Sequence, residues 1–275
     1  RGMKAAGRIT AAIEVLNDIE ARRRPAADAL KDWGLSHRFA GSGDRAAIAN
    51  LVYDALRWRR SSAFRADADT ARGVVLATLR FHWGVGLADL GTLAGEEHGF
   101  GALGDAETAA LAADRIADAP APVAVDVPDW VATALEDNFD EEWQAEAAAL
   151  ATRAPLDLRV NTLKSDRDKV MRQLARFSPA ATPISPVGVR LPARAGWERA
   201  ANITREDLYQ RGHIEVQDEA SQAAALLVFA RPGEQVLDLC AGAGGKTLAL
   251  AATMANKGRV VACDISAERL ERAGE

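Results

Sequence analysis

The residues best suited to chemistry lie in one stretch, Gln235-Val236-Leu237-Asp238-Leu239-Cys240-Ala241-Gly242-Ala243-Gly244-Gly245-Lys246-Thr247-Leu248. A short apolar run with one acid, Asp238, stops at a cluster of glycines. A small-residue helical pattern follows (Leu248, Ala249, Leu250, Ala251, Ala252, Met254). This order predicts strand, tight turn and helix. Glycines let the backbone approach a ligand and take positive φ. The first turn of a helix presents free N–H groups. A second strand is predicted at Arg259-Val260-Val261-Ala262-Cys263-Asp264, with an acid at its carboxyl end. In a doubly wound sheet, an acid about 20 residues past the glycines reaches the ribose hydroxyls of a bound nucleoside. The stretch reads as a nucleoside-cofactor site.

Three glycine motifs compete for it. A dinucleotide fingerprint needs a third glycine where this chain has Thr247. A phosphate-cradling P-loop ends in Gly-Lys-Ser/Thr, which Gly245-Lys246-Thr247 supplies, but it also needs a glycine at the position of Cys240. What remains is an acid in the strand, a small-residue turn and a second acid. That pattern suits S-adenosylmethionine, which has no phosphate to neutralise.

Asp238-Leu239-Cys240-Ala241-Gly242-Ala243-Gly244-Gly245-Lys246-Thr247 resembles the first motif of the RsmB/Sun-type RNA cytosine-5 methyltransferases, usually Asp-x-Cys-Ala-Ala-Pro-Gly-Gly-Lys-Thr. Gly242 and Ala243 depart from it; losing the proline leaves the unfolded loop freer. Gln217-Asp218-Glu219-Ala220-Ser221-Gln222 and Leu158-Arg159-Val160-Asn161-Thr162-Leu163-Lys164 also resemble that family. The resemblance implies an S-adenosylmethionine cofactor. Backbone and small side chains of Cys240, Ala241, Gly242, Ala243, Gly244, Gly245 and Lys246 would cradle its methionine and ribose parts. Asp264 would accept hydrogen bonds from the ribose, and Asp238 would orient the loop or meet the ammonium. Lys246 would start the helix or reach toward RNA. The expected substrate is a cytosine in RNA, with small-subunit ribosomal RNA favoured by analogy. The family attacks carbon 6 with a cysteine from a Pro-Cys motif and releases product with a Thr-Cys-Ser-type motif. Neither Cys240 nor Cys263 sits in such a motif, so no catalytic residue is assigned and both cysteines are expected beyond Glu275. Two other readings stay open: a non-catalytic RNA-binding protein with a degenerate methyltransferase domain, and a P-loop nucleotide hydrolase.

These residues need a scaffold. A length of 275 residues suggests about two domains. There is no apolar run long enough to span a membrane and no apolar signal core at the start, so a cytoplasmic protein is expected. A monomer is expected as well. The two cysteines give no disulfide framework, and no metal site is read from them. The net charge of −5 hides an asymmetry: residues 1–80 hold 15 Lys/Arg against 9 Asp/Glu, and residues 81–150 hold 1 against 15. A basic end is compatible with nucleic acid, and equally with solvated helix faces.

Four segments are expected. Residues 4–120 read as helices, with Ile9, Ile13, Leu16 and Ile19 at helical spacing and no strand alternation. The part Gly43–Arg57 resembles a NusB-like RNA-binding domain. Its basic clusters, Arg22-Arg23-Arg24 and Arg57, Arg59, Arg60, are candidates for phosphate contact or for helix ends. Trp33, Trp58 and Trp83 read as core. Residues 121–128 lie in a stretch with three prolines in ten residues, Ala119 to Pro128, and read as an extended linker. Residues 129–211 mix helix and strand, and the resemblance implies an RRM-like module there; Arg159 and Asn161 would face RNA or solvent. Asp218 reads as the N-cap of a helix, with no chemical role for its neighbours. Residues 212–275 begin a Rossmann-like methyltransferase domain. Two parallel strands with one crossover cannot bury both faces of a sheet, so that domain is expected to be truncated.

Overall fold

The computed structural model describes residues 2–274. It forms two compact units, residues 2–153 with 194–200, and residues 154–193 with 201–274. The chain is rich in helix and carries two small sheets. Among the described residues, no helix is long and apolar enough to cross a membrane.

The first unit is helical, as the periodicity predicts: α1 Ala5–Arg22, α2 Ala26–Ser36, α3 Ser42–Arg57, α4 Arg59–Ala66, α5 Ala71–Ala77, α6 Leu87–Ala94, α7 Asp105–Ala112, α8 Ala121–Ala124, α9 Asp129–Phe139 and α10 Trp143–Leu150. Ile9, Ala12, Val15 and Leu16 of α1 pack on Ile48, Leu51, Val52 and Ala55 of α3 and on Val74, Val75 and Leu76 of α5. Helix α1 ends at Arg23 in the left-handed region (φ 49°), and Pro25 then opens α2. The α3 start is held by Asp44, which reaches back to Gly41 N (3.2 Å) and pairs with Arg8 (2.7 Å).

The proline-rich stretch is not an extended linker. Residues 121–124 form helix α8, Pro120 sits at its N-cap, and Pro128 caps α9. Helix starts need no N–H from a proline, so prolines there cost no hydrogen bond. Packing also pins the segment. Asp126 accepts Ser61 N (2.8 Å), and Arg60 reaches Val127 O and pairs with Asp129 (2.8 Å).

The basic clusters are largely spent internally. Arg22 and Arg24 pair with Asp18 (2.9 and 2.5 Å), and Arg24 also pairs with Asp32. Arg57 pairs with Asp54, and Arg59 with Glu20 and Asp69. Phosphate contact through these groups would have to replace those partners.

Asp54, 1% exposed, is the polar hub of the unit. It accepts Trp83 Nε1 (2.8 Å), Arg57 Nη1 (2.5 Å) and Arg153 through Nε (2.9 Å) and Nη2 (2.7 Å). Arg153 also reaches Arg194 O. Asn50 donates to Gly196 O (3.1 Å) and Glu198 O (2.8 Å), and Trp197 meets Trp83 edge-on at 4.7 Å. Residues 194–200 are thereby fixed to the helices.

In the second unit, β1 (Leu156–Val160), α11 (Arg167–Gln173), β2 (Ala180–Ala181), β3 (Gly188–Leu191), α12 (Asp207–Gln210) and β4 (Ile214–Val216) precede α13 (Glu219–Leu226). The strands form an antiparallel sheet, order β2-β3-β1-β4. Alternation along β1 puts Leu158 and Val160 in a core with Val170, Leu174, Val189, Leu191 and Ile214. The intervening Asp157 and Arg159 take the other face.

That other face is polar and buried. Asp157 takes both forks of Arg190 (2.7 Å each) and Glu219 N (3.1 Å). Glu219 Oε1 accepts Ile184 N (2.6 Å) and Ser185 N (2.9 Å), and Gln222 accepts Ser185 Oγ (2.7 Å). Asp218 is the N-cap, accepting Ala220 N at 2.8 Å. The Gln217–Gln222 motif is thus more than a capped helix: it locks α13 to the sheet. Arg159 does not face solvent or RNA as expected; it is 4% exposed. Its strand neighbours alternate as expected, but the face it lies on is covered by α13.

Then come β5 (Gln235–Asp238), α14 (Gly245–Thr253), β6 (Arg259–Ala262) and α15 (Ala267–Glu271). β5 and β6 are parallel, with Asp238 opposite Ala262. Val236 and Val260 pack under Leu250 and Met254, while Leu237 and Val261 are exposed on the opposite face.

Replacing Asp54 with Ala strands two guanidinium groups and an indole N–H. Breaking a buried ion pair from one side costs about 3–5 kcal/mol. Urea unfolding of Asp54→Ala is expected to show a loss of that order; a loss below about 1 kcal/mol would show that the hub is dispensable.

Candidate cofactor-binding loop

The glycine stretch forms the predicted strand-turn-helix. Past β5 the parallel ladder continues, with Cys263 N donating to Asp238 O (2.8 Å) and Ala241 N to Cys263 O (2.9 Å). The chain then turns: Gly244 N donates to Ala241 O (2.9 Å), and Gly242 and Gly244 take φ 56° and 85°. Glycine adopts such values most readily, having no Cβ to clash. Leu248 N donates to Gly244 O (2.8 Å), opening α14.

Space limits these glycines too. A Cβ on Gly242 would stand 2.8 Å from Arg269 Nη2, and one on Gly244 would stand 2.7 Å from Ala273 Cβ. Arg269 therefore lies over the loop. Sequence reasoning missed it, because the short helix that carries it, α15, has no motif of its own; its place after the strand acid was the available signal.

Two carboxylates hold the loop. Asp264 accepts Gly242 N through Oδ2 (2.7 Å) and Ser266 N through Oδ1 (2.9 Å). Those two donors hold its carboxyl below the usual carboxylate range. Asp238 Oδ2 accepts Thr247 Oγ1 (2.7 Å), tying the end of β5 to the first turn of α14. In a P-loop that hydroxyl serves a metal on bound phosphates; here it is committed to a strand acid.

The sequence-predicted residues come together. Cys240, Ala241, Gly242, Ala243, Gly244 and Gly245 form one continuous turn beside Asp264. Ala241, Gly242 and Gly244 are buried, whereas Cys240, Ala243, Gly245 and Lys246 are exposed. Lys246 lies at the second position of α14. Cys263 has its backbone N–H and C=O in the ladder and its side chain half-buried. Gln217, given no chemical role from sequence, lies at the loop: its Nε2 is 3.5 Å from where a Cβ on Gly245 would stand.

Comparison with known proteins bears on this geometry. Residues 127–196 match the ferredoxin-like domain of RsmF/B-like methyltransferases. Residues 225–275 match the 16S rRNA methyltransferase RsmB/F family. Over these two segments the chain is similar to RsmB/F-type methyltransferases. Ribosomal RNA small subunit methyltransferase B of Pseudomonas putida is 35% identical over 150 residues, which is 54% of this chain and 33% of that protein. A probable ribosomal RNA small subunit methyltransferase B of Synechocystis is 33% identical over 152 residues, 53% of this chain and 32% of that protein. The aligned part thus amounts to about a third of these RsmB-type relatives. The crystal structure of PH0851 shares the fold: it aligns with the whole of this chain and 67% of its own, with a TM-score of 0.66 at 19% identity.

The Asp264 tie sets a pH dependence. Its folded pKa lies below the ordinary value, so its contribution is present above about pH 4 and lost as pH falls through the lower folded value. Hydrogen exchange at Gly242 N, corrected for intrinsic rate, is expected to stay protected from pH 7 down to about 4 and to lose protection below. Loss of protection already between about pH 6 and 5 would show that another group holds this amide.

Proposed function

We propose that this chain carries the cofactor-binding loop and the RNA-recognition part of an S-adenosylmethionine-dependent methyltransferase acting on carbon 5 of a cytosine in small-subunit ribosomal RNA. The observation that carries the reading is the Asp264–Gly242 bond, which sets a strand-end acid directly against a glycine turn of positive φ. The names of the RsmB-type relatives supply the substrate class. Residues 4–120 would form a NusB-like RNA-binding domain, residues 129–211 an RRM-like module, and residues 212–275 the start of the Rossmann-like domain.

The loop fits such a cofactor. Gly242 and Gly244 leave backbone, not side chain, facing the ligand, and no phosphate-clamping arrangement is needed. Each Asp264 oxygen accepts one backbone donor and keeps a second lone pair for a ribose hydroxyl. When bound, S-adenosylmethionine supplies an electrophilic methyl group. This chain's residues bind and orient it: Cys240 to Lys246 along its length, Asp264 at the ribose, and Asp238 through Thr247 at the helix start. Cytosine carbon 5 becomes nucleophilic enough only after a thiolate adds to carbon 6. Cys263 has its backbone in the ladder and Cys240 lies in the cofactor turn, and neither is proposed as the attacking thiolate.

Titration calorimetry with S-adenosylmethionine, with ATP and NAD as comparators, tests this. S-adenosylmethionine alone is expected to bind, and Asp264→Ala to weaken it about tenfold or more. ATP binding in its place would overturn the reading in favour of a P-loop.

A further inference from the structure

The Gln217 side-chain amide has only one workable orientation. Arg159 Nε donates to Gln217 Oε1 at 2.7 Å. A guanidinium has five donors and no acceptor. Flipping the amide would set N–H against N–H, so the network itself assigns the oxygen to Arg159. Nε2 is thereby turned to the glycine loop, 3.5 Å from the Cβ position of Gly245, the first residue of α14.

The residue is rigidly held. Gln217 is 8% exposed. Its N–H donates to Asp157 O (3.1 Å) and its carbonyl accepts Gln222 Nε2 (2.8 Å). Among the described residues, Nε2 has no acceptor. Two N–H donors therefore stand unspent beside the start of a nine-residue helix.

The charge behind them is only partly spent. Arg159 is 4% exposed and its Nη2 is buried without a partner; among the described residues it makes no ion pair, and the acid that opposes burial is Glu215, across the strands in register. Burying a guanidinium with so little compensation is costly. Amide donors, a helix N-terminus and a cation all favour a ligand group of one sign, an anion.

We propose that Gln217, positioned by Arg159, receives the carboxylate of the amino-acid part of the ligand in the glycine loop. This rests on the cofactor reading above and deepens it. S-adenosylmethionine carries its carboxylate next to an ammonium group. A neutral amide can donate to the first without repelling the second, which a lysine or arginine at 217 could not. Gln217 touches the ligand; Arg159 acts through Gln217.

The test compares two nucleosides by calorimetry: S-adenosylhomocysteine, which has the amino-acid part, and 5′-methylthioadenosine, which lacks it. Gln217→Leu is expected to weaken S-adenosylhomocysteine about ten- to a hundredfold and to leave 5′-methylthioadenosine unchanged. Arg159→Met should give a smaller loss for the same ligand only, and the double variant no more than Gln217→Leu. Gln217→Glu keeps the shape and can pair with Arg159, so it decides the matter if Gln217→Leu fails to fold. It should weaken S-adenosylhomocysteine at least as much and spare 5′-methylthioadenosine. Equal losses for both nucleosides in Gln217→Glu, or a loss for neither, overturn the inference. If the unsubstituted chain binds neither nucleoside, the cofactor reading falls first and this inference falls with it.

Discussion

A glycine turn has no side chains with which to hold its own shape, and the rest of the second unit answers that constraint. Arg269 and Ala273 pack close against Gly242 and Gly244, but the shape of the turn itself needs more than packing. Hydrogen bonds from outside supply it. Asp264 takes the Gly242 amide from the next strand. Asp238 takes the Thr247 hydroxyl from within the first strand. One tie runs from a strand end to the loop and the other from a strand end to the first turn of α14, so the strand register that sets Asp238 opposite Ala262 also sets the loop. Carboxylates suit this role because they accept several donors at once, and a charged acceptor makes the stronger bond.

Much of this was legible in the sequence, for identifiable reasons. The strand, turn, helix and second strand follow from an apolar run, clustered glycines and small-residue periodicity, all local signals. The helical first unit follows from Ile9, Ile13 and Leu16 at their spacing. Prolines misled: a count of three in ten residues suggests extended chain, yet Pro120 and Pro128 stand at helix starts, where their missing N–H is irrelevant. Arg159 misled in another way. Alternation places it correctly opposite Leu158, but one strand cannot reveal that α13 covers that face. Long-range partners were unreadable too. Asp54 and Arg153 are 99 positions apart, and no spacing rule links them.

The two units use charge differently. In the first, many arginines pair with acids, and Asp54 serves donors from three residues at once. Such groups stabilise and specify packing, and they offer less to a polyanion because each must first leave its partner. In the second, the sheet face under α13 is built from Asp157, Arg190, Glu219 and Gln222 with donors and acceptors nearly matched. Arg159 is the exception there, and the exception lies next to the loop.

Charge pairing also sets what a surface can offer a polyanion. Counterion release needs cations that are free in the unbound protein. Lys169 and Arg172 on α11 are exposed, as is Lys246 at the loop. Arg22, Arg24, Arg57 and Arg59 are already paired. A basic count over residues 1–80 therefore overstates what that segment can give to phosphate. Net charge describes the long-range field around a protein, whereas contact depends on which guanidinium groups still have an N–H to spend. By that measure Lys169, Arg172 and Lys246 in the second unit, exposed and without an ion pair among the described residues, have more to give than the paired arginines of the first.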